Sequence, residues 1–381
     1  MSGVVYLKSA KQYEQGEVDA AVDELLTGCG ADLLLSGVEK VLIKPNLLMR
    51  APPNEAVTAH PVVLKAVINA LKKRGVKHIL IADSPGSPYT RVVLRSVYSG
   101  CGYLELGEIE GVTLNYSSLS STVSVEGKRI KSAEIINPVL EADFIVNVGK
   151  LKTHMVSGMT GAVKNLLGTV PGLRKAELHC RFPERQEFNE MLVDLAQFVK
   201  PQLSIVDGIL GMEGNGPSGG TPRGFGILAA SDNPYHLDRV LAHCVGMTEN
   251  EAMTVKCSIA AGLAPKDVLE IKVSGDTFIF EKPLTDLVKP KGMEPDFSQQ
   301  APRFLRKLVK SFTRATSAHP SVERQKCTGC GKCAEICPAH IIAVNDGRAV
   351  IQKKGCIRCF CCHEICPARA IAVKSGGFWK L

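Results

Sequence analysis

Two cysteine runs near the C-terminus set the tightest limit on what this 381-residue chain can fold into. The first is Cys327, Cys330, Cys333 and Cys337, followed by Pro338; the second is Cys356, Cys359, Cys362 and Cys366, followed by Pro367. Both have the spacing C-x-x-C-x-x-C-x-x-x-C-P. The stretches CTGCGKCAEICPAHII and CIRCFCCHEICPARAI agree at nine of sixteen positions, including the non-cysteine pairs Glu335/Glu364 and Ile336/Ile365. A duplicated module is therefore expected. Thiolates are soft donors that suit iron bridged by sulfide, and this spacing wraps three cysteines around one 4Fe–4S cluster while the fourth reaches the other. The expected ligand sets are Cys327, Cys330, Cys333 with Cys366, and Cys356, Cys359, Cys362 with Cys337. Zinc is the competing reading, but it favours separated Cys-x-x-Cys pairs or mixed Cys and His ligands. Disulfides suit small secreted domains rather than a chain of this length. Cys361 aligns with Lys332 and is expected to be a buried spare thiol, as are most of Cys29, Cys101, Cys180, Cys244 and Cys257.

Length alone suggests two or three domains at roughly 150 residues each. Residues 1–285 alternate short β-branched runs with helical patterns, which predicts an α/β body with a largely parallel sheet and flanking helices. Strands are expected at 40–44, 78–83, 143–148, 203–207 and 225–230. Helices are expected near 17–27, 61–74, 186–199 and 234–245, and a hairpin or small antiparallel insert within 112–130. Residues 286–319 form a linker containing a basic amphipathic helix, 302–314, and residues 320–381 form the small α+β iron–sulfur domain. Residues 301–326 carry seven basic side chains against Glu323 alone, whereas the rest of the chain is near neutral. Nucleic-acid binding by the whole protein is therefore not expected. The apolar side of 302–314 is expected to pack on a neighbouring domain, with peripheral membrane contact as the alternative. No apolar run approaches the ~20 residues of a membrane span, and the N-terminus lacks a signal-peptide pattern. A cytoplasmic location follows as the expectation.

Four predicted strands of the body end in polar loops: Pro45-Asn46, Asp83 to Gly86, Gly149 to His154, and Gly208 to Gly220. Ligands of open parallel sheets bind outside the carboxyl ends of the strands. The stretch 149–179 is rich in Lys, Gly and hydroxyl residues and nearly free of acid, which suits an anionic ligand. Lys44, Lys152 and Lys164 are expected to hold its charge, with Asn46, Thr160 and Asn165 orienting it. His154 and His179 are the candidate proton carriers. Asp83, Asp207 and Glu213 would fix the lysines or a cation. Gly214-x-Gly216-x-x-Gly219 has the letters of a dinucleotide fingerprint but lacks a following helix, so it is discounted.

The body resembles the domain-of-unknown-function family 362. The resemblance rests on IKPN (43–46), His60-Pro61, ADSPG (82–86), KTH (152–154), TGAVKNLLG (160–168), VDGILGMEGNGP (206–217), and Asp238 after Asn233-Pro234. It implies a fold more than an activity. The C-terminal runs resemble clostridial-type two-cluster ferredoxins, with Cys361 as the one departure. Together these imply an electron-transfer protein or oxidoreductase that has an electron donor or acceptor protein as partner and a small anionic substrate in the body. A non-catalytic docking or assembly module, and a lyase or isomerase with structural clusters, are the alternatives. Oxygen-free reconstituted protein is expected to bind about eight iron and about eight acid-labile sulfide per chain. About four of each would refute the two-cluster count.

Overall fold

The structure, a computed structural model, describes residues 3–291 and 318–374. The expected basic helix, 302–314, lies outside the described residues.

A nine-stranded sheet organises the body. Its strands are β1 (Val5–Ser9), β2 (Lys40–Pro45), β3 (His78–Ile81), β4 (Val112–Leu114), β7 (Ile145–His154), β8 (Gly158–Thr160), β9 (Leu203–Glu213), β10 (Thr221–Ser231) and β11 (Val273–Gly275). Between β4 and β7, β5 (Ser120–Ser124) and β6 (Ser132–Ile136) form a separate antiparallel ribbon. The order across the sheet is β11-β1-β10-β9-β7-β2-β3-β4, with β8 folded back on β7. Strands β9, β7, β2, β3 and β4 are mutually parallel, and β10 is antiparallel to both β9 and β1. The largely parallel sheet expected from the sequence is present. The stretch expected as one insert over 112–130 is divided: its start joins the main sheet as β4, and the ribbon runs on to Ile136.

The central strands are buried on both faces, which is why they read as apolar runs rather than alternating ones. Helices Gln15–Gly28 and Pro61–Lys73 cover one face, and helix Arg185–Val199 covers the other. Pro61 opens its helix at a position where a missing N–H costs nothing, and the His60 ring accepts from Val62 N.

Two segments expected as loops are strand. GKLKTH continues β7 to His154, because β8 pairs with it and sets Lys152 opposite Thr160. Likewise β9 runs through Asp207 to Glu213, because Thr221–Gly224 pairs with Leu210–Glu213. Glycines and lysines weaken a strand signal, but a partner on each side supplies the missing hydrogen bonds. Residues 214–220 then form only the turn between β9 and β10, in agreement with the discounted fingerprint.

The C-terminal domain contains two small antiparallel pairs. One joins β12 (His319–Val322) to β15 (Ile371–Lys374), and the other joins β13 (Ile342–Asn345) to β14 (Arg348–Ile351). Short helices Lys332–Glu335 and Cys361–Glu364 occupy equivalent places in the two repeats. This domain sits on the carboxyl ends of the body strands. Met49, Val57 and Met212 of the body pack with Ile336, Cys361 and Ile365. Arg369 pairs with Glu55 at 2.6 Å, and Ser218 Oγ donates to the Glu364 carbonyl at 2.6 Å. The His363 ring joins the two parts, with Nε2 3.0 Å from the Asn215 carbonyl oxygen and Nδ1 2.6 Å from that of Ile371.

Candidate functional site

The eight repeat cysteines ring two voids. One is lined by Cys327, Cys330, Cys333 and Cys366, the other by Cys356, Cys359, Cys362 and Cys337. Among the described residues no three Cys, His, Asp or Glu side chains converge as they would on a single ion. The thiols instead surround space of the kind a multi-atom cluster fills. Backbone N–H groups favour the thiolate: Ala349 N donates to Cys327 Sγ at 3.3 Å and Ala370 N to Cys366 Sγ at 3.2 Å. The first of these contacts holds the Cys327 thiol below its ordinary range. Cys330 of the first quartet is exposed. Cys359 of the second packs at the interface with the body, and Cys362 is buried. Cys361 is buried and lines neither void.

Beneath that interface, at the carboxyl ends of β3, β2, β7 and β9, lies a layer of buried polar side chains, termed the crevice after the place where open parallel sheets bind ligands. Lys44 on β2 pairs with Asp83 beyond β3 at 2.8 Å. Lys150 on β7 pairs with Asp207 on β9 at 2.7 Å. Tyr13 Oη accepts from Lys150 Nζ and donates to Asp207 Oδ1, each at 2.9 Å, while its ring stacks on His60. Lys152 has no carboxylate; its ammonium donates to Asn46 Oδ1 at 2.9 Å and to the Val57 carbonyl at 2.6 Å. Asn46 Nδ2 donates to Asn165 Oδ1 at 3.0 Å, and Asn165 Nδ2 donates to Asn147 Oδ1 at 2.8 Å. Burial, with repulsion from Lys150 and Lys164, brings Lys152 down to about 7. It is a lysine able to exchange a proton near neutrality.

Asp238 sets the helix turn Ala162–Asn165 in place. Its carboxylate accepts from Ala162 N at 2.6 Å and Val163 N at 3.0 Å. A Cβ at Gly161 would collide with that carboxylate, and one at Gly168 with Asp83 Oδ1 and the Lys44 ammonium. These glycines thus admit buried carboxylates of the chain itself.

One side chain of the C-terminal domain enters the crevice. Glu364, at the end of helix Cys361–Glu364, has a side chain 14% exposed, and its Oε1 lies 3.2 Å from His154 Nε2, off hydrogen-bond alignment. His154 Nδ1 accepts from Val156 N at 3.0 Å and Ser157 N at 3.1 Å, so the neutral ring carries its proton on Nε2, facing Glu364. Burial, with repulsion from Lys164, lowers His154 to about 4. His179, stacked on Phe188, is lowered by burial to about 3. Burial alone would raise the Glu364 carboxyl, but His154 and Lys164 outweigh it and hold the group well below the usual carboxylate range. Lys164 is half-buried, lowered by burial, and among the described residues its ammonium has no hydrogen-bond or ion-pair partner.

Of the residues expected from the sequence, Lys44, Asn46, Asp83, Lys152, His154, Lys164, Asn165, His179 and Asp207 therefore line or support one crevice. Thr160 is a supporting residue, its hydroxyl donating to the Lys150 carbonyl at 2.6 Å. Glu213 is not at the site: it pairs with Arg223 at 2.7 Å beyond the end of the crevice, because the extended β9 carries it away from Asp207. Of the five scattered cysteines, most of which were expected in the core, Cys29, Cys101, Cys244 and Cys257 are buried and Cys180 is exposed. Sequence reasoning missed Tyr13, His60 and Glu364. Two of them carried a signal: His60 in the His60-Pro61 pair of the family resemblance, and Glu364 in its match with Glu335 of the repeat.

Comparisons with known proteins agree with this division. The family described as Domain of unknown function (DUF362) matches residues 41–243, more than half of the chain, and the 4Fe-4S dicluster domain matches residues 319–367. A Synechocystis protein described as thylakoid-associated protein sll1697 is 33% identical over 264 residues, covering 68% of this chain and 80% of that protein. Among solved structures, a structural-genomics protein from Thermotoga maritima aligns at TM-score 0.37 and 14% identity over 57% of this chain and 55% of its own. The lactate racemase apoprotein from Thermoanaerobacterium thermosaccharolyticum aligns at TM-score 0.40 and 12% identity over 62% of this chain and 56% of its own.

The buried pairs set a stability test. Asp207→Asn keeps the shape but strips Lys150 of its counter-charge, and is expected to destabilise the body by about 3–5 kcal/mol. The double replacement Lys150→Met with Asp207→Leu is expected to cost much less. Anaerobic denaturant unfolding followed by far-UV circular dichroism measures both; a loss under about 1 kcal/mol for Asp207→Asn would show that the pair is not compensating buried charge.

Proposed function

We propose that this chain, which belongs to the family described as Domain of unknown function (DUF362), moves electrons between a partner protein and a small anionic substrate or cofactor held in the crevice. The carrying observation is the placement of the second cysteine quartet. The helix that bears Cys362 ends in Glu364, whose carboxylate reaches His154 in the crevice. The first quartet, with exposed Cys330, lies toward solvent, where a partner can approach.

The chain carries two 4Fe–4S clusters in its dicluster domain. Their ligands are proposed to be Cys327, Cys330, Cys333 and Cys366 for one, and Cys356, Cys359, Cys362 and Cys337 for the other. When bound, such clusters supply one-electron transfer at low potential. The protein side chains do the rest. Lys164, without a contact partner among the described residues, binds the anionic group. His154 presents an Nε2 proton to it, and Lys152, brought down to about 7, is a second group of the site that can hold or release a proton. Asn165 is held at both ends of its amide and orients the ligand rather than moving with it.

The test follows reoxidation of chemically reduced, oxygen-free protein by small carboxylates, phosphates and thioesters, using the cluster absorbance. An active acceptor is expected among them. Lys164→Met and His154→Phe should retain about eight iron. They should also slow reoxidation about a hundredfold or more. Unchanged rates in both variants would remove these residues from the reaction, and reoxidation by proteins alone would favour a docking module instead. Cys366→Ser is expected to damage the cluster of the first quartet and spare the second; the reverse pattern would overturn the crossed ligand sets.

A further inference from the structure

The crevice is already occupied by a carboxylate, and that carboxylate belongs to the chain. Glu364 enters from the C-terminal domain, is largely withdrawn from solvent, and faces the protonated nitrogen of His154. Its fit is incomplete. Oε1 and Nε2 are 3.2 Å apart, close enough to favour each other electrostatically but off the line of a well-formed hydrogen bond. Lys164, the half-buried cation of the same site, makes no ion pair with it or with any other described residue. An imidazole N–H met off its hydrogen-bond line, an ammonium without an ion pair among the described residues and the carboxylate that most favours its charge describe an anion site held by a substitute. Other contacts of this interface are ordinary: an apolar cluster, the exposed-rim pair Arg369–Glu55, and two carbonyl contacts.

We propose that the Lys164–His154 socket is a binding site for a small carboxylate, and that such a ligand enters by displacing Glu364, so that ligand binding and tight seating of the second quartet compete. This rests on the reading of the crevice as an anion site, and not on the delivery of electrons through it. A free carboxylate can approach Lys164 and His154 together, which Glu364 on its short helix does not. Removing Glu364 leaves the Lys164 ammonium and the His154 N–H without the carboxylate that faces them, so the vacant socket should attract a small anion more strongly than the occupied one. Displacement also has a structural consequence. Glu364 precedes Ile365 and Cys366, and its own carbonyl is held by Ser218. Moving it loosens the contact between the cluster domain and the turn 214–220.

The experiment is calorimetric titration of the full-length, cluster-loaded protein with sodium acetate and with succinate, at constant ionic strength. If Glu364 occupies the socket about nine-tenths of the time, Glu364→Ala should bind these probes about tenfold more tightly than the wild type. Glu364→Gln, which keeps the shape and removes the charge, should also bind more tightly and guards against misfolding of the alanine variant. Iron content of about eight per chain verifies that the clusters are retained. Adding Lys164→Met to either variant should abolish the gain. In the wild type, saturating acetate should speed hydrogen exchange in residues 359–366 and 214–219. Equal affinity in the wild type and both Glu364 variants would overturn the proposal, as would a gain that survives Lys164→Met. Unchanged exchange at saturation would overturn the displacement step. None of these readouts requires reduced clusters: anion binding without reoxidation would sink only the electron-delivery reading, and reoxidation without carboxylate competition would sink only this one.

Discussion

The cost of burying an ammonium governs this structure. Lys44, Lys150 and Lys152 are almost wholly withdrawn from water at the carboxyl ends of adjacent parallel strands. Each such charge costs several kcal/mol unless it is paired and hydrogen-bonded. Two are matched by carboxylates from neighbouring strands, Asp83 and Asp207. Lys152 is matched only by an amide and a carbonyl, so its proton is held loosely, at about 7. Among the described residues Lys164 has neither, and the carboxylate that most favours its charge is Glu364 from a different domain. The series runs from fully compensated to uncompensated toward the interface. A gradient of that kind belongs to a site that leaves its last charge for something else to meet.

Strand order makes the gradient possible. Lys44, Lys150 and Lys152 project from two neighbouring strands, and the acidic partners come from the strands on either side. Extending β7 through GKLKTH places Lys150, Lys152 and His154 on a rigid ladder rather than on a flexible loop. The close approach of Gly161 and Gly168 to buried carboxylates lets the turn 161–168 press against the strand ends. Asp238 then fixes the first N–H groups of that turn, which sets where Lys164 and Asn165 stand. A side chain at either glycine would push the turn outward and pull Asn165 away from Asn46 and Asn147.

Much of this was legible in the chain because local patterns carry it. Alternating apolar runs and capped helices disclosed the α/β body, and the cysteine spacing disclosed the dicluster domain. The strand ends pointed to Asn46, Asp83 and Asp207 as neighbours. What the sequence concealed were properties set by pairing partners far along the chain. Glycine and lysine in 149–154 suggest a loop until β8 and β9 are known to flank it. Glu213 looks like a companion of Asp207 until the length of β9 carries it away. Tyr13 is an unremarkable letter and His60 stood out only beside Pro61 at a helix start; their stacking arises because the segments before two helices meet beside Asp207. Glu364 was hidden for another reason: its role comes from which face of a duplicated module is turned toward the body.

That last point explains why two nearly identical repeats differ where they do. Glu335 and Glu364 are equivalent, yet Glu335 is exposed and Glu364 is enclosed. Ile336 and Ile365 both enter the interface cluster, so the body touches the module near its pseudo-two-fold axis but takes a carboxylate from one side only. Lys332 is exposed in the first repeat. Its counterpart, Cys361, is buried within electrostatic reach of Lys164. A lysine there would set a second ammonium against one that already lacks a contact partner, in surroundings where like charges repel strongly. A small neutral thiol avoids that conflict. The one departure from the ferredoxin pattern thus answers to electrostatics across the interface, and the same thiol also favours the thiolate of its neighbour Cys359, a ligand of the second quartet. A symmetric module acquires direction because a single face of it must lie against a positively charged crevice.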